Sequence, residues 1–285
     1  MKLRHSAGVA IGVLILVSTV HAQWPAHLPQ NTPRAADGKP NLAGPPPRTA
    51  DGKVDFSGVW ETARPAAQQP PPVAAAGTGG AIPSGNVFGN IGAQVPGGAP
   101  YQPWAADLVK KRMADNSKDN PDAHCLPMGV MQMTSHPYPK KIIQTPLEVV
   151  LIYEGSGTTV REAFMDGRPL PAADKVEPWW NGYSIARWEG NDTLVVETVG
   201  FMDDGWLDVR GSPLTNAGKL TERFRRPTFG TLEIEVTIDD PKAYTRPFTA
   251  KVTNRLLADT QLIEFVCLDK SAVHYVGADG VADKK

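Results

Sequence analysis

Cysteine is nearly absent from this chain: two in 285 residues, Cys125 and Cys267. With no Cys-x-x-Cys, a thioredoxin-type redox site or a cysteine-built zinc site has no footing. Histidine is also scarce, six in all, and no His-Glu-x-x-His brings two together. Gly-x-Ser-x-Gly and phosphate-binding glycine loops are missing too, which removes the common hydrolase and nucleotide readings. Neither sign of charge dominates, with 29 Lys and Arg against 30 Asp and Glu. No basic stripe forms, so nucleic acid is not an expected partner. Beyond Val20, no apolar run reaches the roughly 20 residues of a membrane-spanning helix.

The N-terminus carries the clearest signal. Lys2, Arg4 and His5 precede an apolar run from Ala7 to Val20, closed by Val20-His21-Ala22. A basic start, a short apolar stretch and small residues before the cut predict a signal peptide over 1–22. The mature chain is then expected to be periplasmic or secreted. In an oxidising compartment Cys125 and Cys267 invite a disulfide, worth about 4–5 kcal/mol by chain entropy. The alternative is two separate thiols.

Residues 23–103 form a leader dense in proline and glycine, a composition that predicts partial disorder. Within it Ala36-Asp37-Gly38-Lys39-Pro40-Asn41-Leu42-Ala43-Gly44 echoes Ala50-Asp51-Gly52-Lys53-Val54-Asp55-Phe56-Ser57-Gly58. The first copy reads as a surface turn, and the second runs into a strand over Phe56–Glu61. Spacing predicts a short helix over Trp104–Met113, with Trp104, Leu108 and Met113 on one side.

The remainder alternates at period two. In Thr231–Asp239, Leu232, Ile234, Val236 and Ile238 point one way, and Thr231, Glu233, Glu235 and Thr237 the other. That describes a sheet with one dry and one wet face. Similar segments lie at Glu148–Glu154, Thr158–Met165, Tyr183–Glu189, Thr193–Phe201, Lys219–Arg226, Pro247–Leu257 and Gln261–Leu268. They predict an all-β, antiparallel, up-and-down barrel over 104–270, with Phe56–Glu61 adding its first strand and 271–285 a tail.

Several segments carry a resemblance. Phe56-Ser57-Gly58-Val59-Trp60 resembles the Gly-x-Trp opening of lipocalin-type barrels, where the Trp closes one end. The runs Arg187-Trp188-Glu189-Gly190, Asp192-Thr193-Leu194-Val195-Val196-Glu197-Thr198, Leu220-Thr221-Glu222-Arg223-Phe224-Arg225-Arg226 and Thr237-Ile238-Asp239-Asp240-Pro241-Lys242-Ala243-Tyr244-Thr245-Arg246-Pro247 are similar to a large family of exported bacterial proteins. The resemblance implies the lipocalin-like barrel and export, and no particular reaction. Histidines expected from that family are replaced here by Tyr183, Ser212, Leu214 and Lys219, which cannot rebuild a first-row metal site.

Three functions compete. A binding protein would capture a small apolar or aromatic molecule at the barrel mouth through Trp179, Trp180, Tyr183, Arg187 and Trp206, without metal or cofactor. A cofactor-independent isomerase, lyase or hydrolase would use Asp203, Asp208 or Glu222 as base, with Tyr183 and Arg187 facing an oxyanion. Against that, Arg187 also suits an outer ion pair with Glu197, and Glu222 a solvated edge. A periplasmic accessory module would dock on a protein partner through its leader.

Overall fold

The structure, a computed structural model, describes residues 28, 32–63, 87–155, 159–263 and 265. The signal segment, Cys267 and the tail 271–285 lie outside them. The strands are β1 (Gly58–Thr62), β2 (Lys140–Gln144), β3 (Glu148–Tyr153), β4 (Thr159–Phe164), β5 (Tyr183–Glu189), β6 (Thr193–Val199), β7 (Gly205–Trp206), β8 (Pro213–Leu214), β9 (Lys219–Thr228), β10 (Thr231–Asp239) and β11 (Phe248–Leu256). Nine of them close into a barrel, in chain order and with β1 sealing the gap between β2 and β11; β7 and β8 pair apart from it.

The expected all-β barrel is present, with one departure from the up-and-down pattern. A ring of strictly alternating strands needs an even number, so nine strands force a parallel pair. That pair is β4 and β5, which meet only at Ala163↔Ser184 and Phe164↔Ile185. Segment 165–182 carries the chain back to the end where β4 began. Gly182 opens β5 at φ +62°, and a Cβ there would lie 2.6 Å from the Val199 carbonyl oxygen, so glycine is required at this corner.

Every barrel strand turns alternate side chains inward, and these form the core. β10 contributes Leu232, Ile234, Val236 and Ile238, and β11 contributes Phe248, Ala250 and Val252, all buried. One end is closed by α2 (Val130–Ser135), all six of whose residues are buried. Its short apolar stretch carries too little period to be read as a helix beforehand. At the other end Trp60 and Phe56 are fully buried, with the Trp60 indole donating to the Phe56 carbonyl at 3.0 Å. The Arg226 guanidinium covers the Trp60 ring at 4.8 Å.

The two leader copies fold alike. Arg34 and Arg48 each donate to the carbonyl of Gly38 and Gly52 at 2.8 Å, and both glycines adopt φ near +80°. The first copy lies on the β9–β10 turn, where Phe229 and Gly230 donate to Gly44 and Leu42. Within the leader Val54, Phe56, Val87 and Ile91 belong to the core. The expected helix is α1 (Pro103–Ala114), but it buries Ala105 and Val109 and leaves Trp104 and Met113 exposed. Strand β2 was hidden behind a proline-rich approach. The expected last strand over Gln261–Leu268 is not formed at Gln261–Ile263, and residues 264 and 266–268 lie outside the described ones.

Candidate functional site

Glu222 occupies an inward position of β9 between Leu220 and Phe224, and burial obliges it to find a partner. It finds Arg161, which reaches across from β4 and donates through Nη2 to Glu222 Oε2 at 2.5 Å; both side chains are almost wholly removed from solvent. The same guanidinium donates to Thr198 Oγ1 at 2.6 Å on β6 and to Ser184 Oγ at 3.1 Å on β5. One side chain thus ties four strands together, beside the seam where the backbone ladder is shortest. Burial works against the Arg161 charge, and Glu222 more than restores it, so the group is held above its ordinary range.

Tyr153 on β3 faces this pair and Thr134 of α2 but closes a hydrogen bond with neither, and burial raises its phenol. Lys140 on β2 lies beyond, fully buried. Its ammonium meets three acceptors, Thr134 O at 2.6 Å, Asn254 Oδ1 at 2.8 Å and Thr62 Oγ1 at 3.0 Å. Burial pulls it down to about 7. Three acceptors match the three N–H bonds of an ammonium, which makes Lys140 a tie between α2 and the wall.

Of the residues expected at a site, Glu222 alone reaches the lumen. The inward face of β5 carries Ser184, Ala186 and Trp188, so Tyr183 and Arg187 point outward: their oxyanion-facing role in the lumen does not stand, and for Arg187 the outer pairing with Glu197 does. Arg187 pairs on the outer face with Glu189 at 3.2 Å and Glu197 at 3.6 Å. Glu197 also holds Lys219 at 2.6 Å, and this hydrogen bond depresses its carboxyl. Asp203 is exposed and accepts from the Asn216 backbone and side-chain amides at 2.7 and 3.0 Å. Asp208 is buried and its oxygens are engaged by Ile91 N at 2.6 Å, Ser212 Oγ at 2.8 Å and Ser212 N at 3.0 Å. Burial raises its carboxyl, and with these contacts it fastens the leader to the β7–β8 loop.

The aromatic candidates are scattered. Trp206 is buried with the Arg112 guanidinium 4.2 Å above its ring, Trp179 is 64% exposed and bridges Phe201, and Trp180 is half-buried. These tryptophans do not line one mouth. Tyr183, however, borders a different feature.

That feature is a groove of about 490 Å³ on the barrel rim, between the β2–β3 turn and the chain leaving β4. Pro146, Leu147 and Phe164 form its apolar wall, and Glu148, Asp166 and Arg168 its polar edge. Leu147 is 66% exposed. Arg168 lies 4.0 Å over the Phe164 ring, holds Asp166 through Nε and Nη2, and donates to Tyr183 Oη at 3.0 Å. The Tyr183 and Phe164 rings stand 5.7 Å apart.

The chain matches no family model, no curated relative and no solved structure. Geometry therefore carries the functional argument alone. Among the described residues no group of three or more His, Cys, Asp and Glu is placed to hold a metal, and no helix is long and apolar enough to cross a membrane.

Arg161, Lys140 and Tyr153 were not singled out in the sequence. The only signal for Arg161 was its alternation in step with Ala163, which fits either face of a strand.

Proposed function

We propose that this chain is an exported small-molecule-binding barrel that takes its ligand in the rim groove rather than in the lumen. The observation that carries the reading is the groove's make-up. Its volume of about 490 Å³ suits a small ligand, and an apolar wall meets a few placed polar groups. The burial of α2 and of Trp60 at the two ends of the barrel turns attention to this outer site. Native mass spectrometry of the purified chain should show a bound small molecule, and Leu147→Asp should abolish its retention. Retention of that molecule by the variant would reject the groove.

Export and the Cys125–Cys267 bridge belong to the same proposal. Phe265, two residues before Cys267, lies 6.2 Å from the Tyr138 ring. Met128, three residues after Cys125, and Tyr138 both crowd Gly155.

A second reading has one observation in its favour: Glu222, Arg161 and Tyr153 meet inside the lumen, an arrangement suited to a cofactor-independent isomerase, lyase or hydrolase. Turnover lost in Glu222→Gln, with the fold intact, would support it over the groove.

A further inference from the structure

We propose that the rim groove selects an organic cation, a primary or quaternary ammonium group carried on an apolar or aromatic body. The proposal rests on the groove being the binding site and assigns the chemistry of its occupant. Glu148 and Phe164 are direct register partners on the outward faces of β3 and β4. Side chains so placed have Cβ atoms about 4.5–5.5 Å apart, which sets a carboxylate beside an aromatic ring. The Glu148 carboxylate enters no ion pair among the described residues.

The other charges favour an anion little. Asp166 takes Arg168 Nε at 2.8 and 2.9 Å and Nη2 at 2.5 Å, and Tyr183 takes Nη1. An incoming carboxylate would meet a guanidinium whose charge Asp166 already offsets, and would stand near Glu148. With Arg168 set against Asp166, the lining keeps one uncompensated negative charge. A neutral polar ligand gains little either. The Thr145 hydroxyl is occupied by the Leu147 and Glu148 amides at 3.3 and 3.1 Å and by the Glu148 carbonyl at 3.1 Å. An ammonium group gains from Glu148, the carboxylate left without an ion pair, while its apolar body rests on Pro146, Leu147 and the edge of Phe164, whose face Arg168 covers.

The test is a calorimetric titration of the full mature chain with phenethylamine, 2-phenylethanol and 3-phenylpropanoate at low salt. The amine should bind about tenfold tighter than the alcohol, and the acid weakest. Glu148→Gln, which breaks no ion pair, should erase the amine's lead over the alcohol. An acid that binds as well as the amine, or a lead that survives Glu148→Gln, overturns the cation assignment and leaves the groove standing. Failure of all three probes overturns the groove itself, and the assignment with it.

Discussion

Replacing Glu222 by leucine would leave the Arg161 guanidinium, 2% exposed, facing a lumen without its counter-charge. Breaking a buried pair from one side costs about 3–5 kcal/mol, because the surviving charge keeps its desolvation penalty. Arg161→Met should cost as much, since it strands Glu222 in turn. The double variant Arg161→Met/Glu222→Leu removes both charges. Ser184 and Thr198 keep their mutual contact at 2.9 Å, so neither hydroxyl is orphaned. The double variant should therefore sit within about 2 kcal/mol of the parent, and the cycle should show a coupling of several kcal/mol. Urea unfolding at constant m-value reads these differences. In melting temperature each single variant should fall by about 6–20 °C, using the 2–4 °C per kcal/mol usual for a domain of this size. Additive losses, with the double variant as damaged as both singles together, would refute the description of Arg161 and Glu222 as one unit.

Stability should rise with pH from about 7 towards 10. The folded Lys140 titrates near 7 against 10.5 when unfolded, so over that interval the unfolded chain holds the extra proton. The gain is at most about 5 kcal/mol, it should flatten in Lys140→Met, and a fall between pH 7 and 9 in denaturant melts would contradict it. Above pH 10 the trend should reverse, because burial raises Tyr153, Tyr244 and Tyr101, the last to about 12, and the folded phenols keep protons that the unfolded ones shed. Arg226→Lys should cost about 1–3 kcal/mol, because lysine lacks the planar fork that reaches Phe229 O and Asp55 O and covers Trp60; an unchanged urea midpoint would show that the cap adds nothing. Reduction, or Cys125→Ser, should lower stability by as much as about 5 kcal/mol if the bridge forms, and identical reduced and non-reduced melting curves would exclude it.

The strands were legible where one face is dry and the other wet. Thr231–Asp239 was read to the residue, because Leu232 to Ile238 alternate with polar neighbours and the β9–β10–β11 wall faces solvent. The same period gives the correct pairing of side chains within Tyr183–Glu189 but not which set turns inward. Tyr183, Ile185 and Arg187 are as apolar as Ser184, Ala186 and Trp188, and only the closed ring decides. The lumenal pair escaped for a related reason. Arg161 and Glu222 lie on different strands, and a charge that is buried because of a distant partner looks the same in sequence as one that is solvated. The groove depends on a turn, a strand end and a connection that meet only in three dimensions. Strand β2 escaped because it follows a proline-rich approach and opens on Lys140, a lysine facing inward.

The first strand of the ring is also its clasp. β1 belongs to the leader, yet it pairs with β11, and Thr62 meets Asn254 across 192 residues of chain. A chain emerging N-terminus first therefore holds β1 with β2 as its only possible neighbour until β11 has followed. Until then the inner face of the half-built wall, with its lysine, arginine and glutamate, is open to water and to other chains. Loop closure over so long a span is entropically slow and is rewarded only at the end. Folding should thus be gated by release of the C-terminal strand, and truncations that stop short of Phe248–Leu256 should yield aggregation-prone sheets with two free edges rather than smaller barrels.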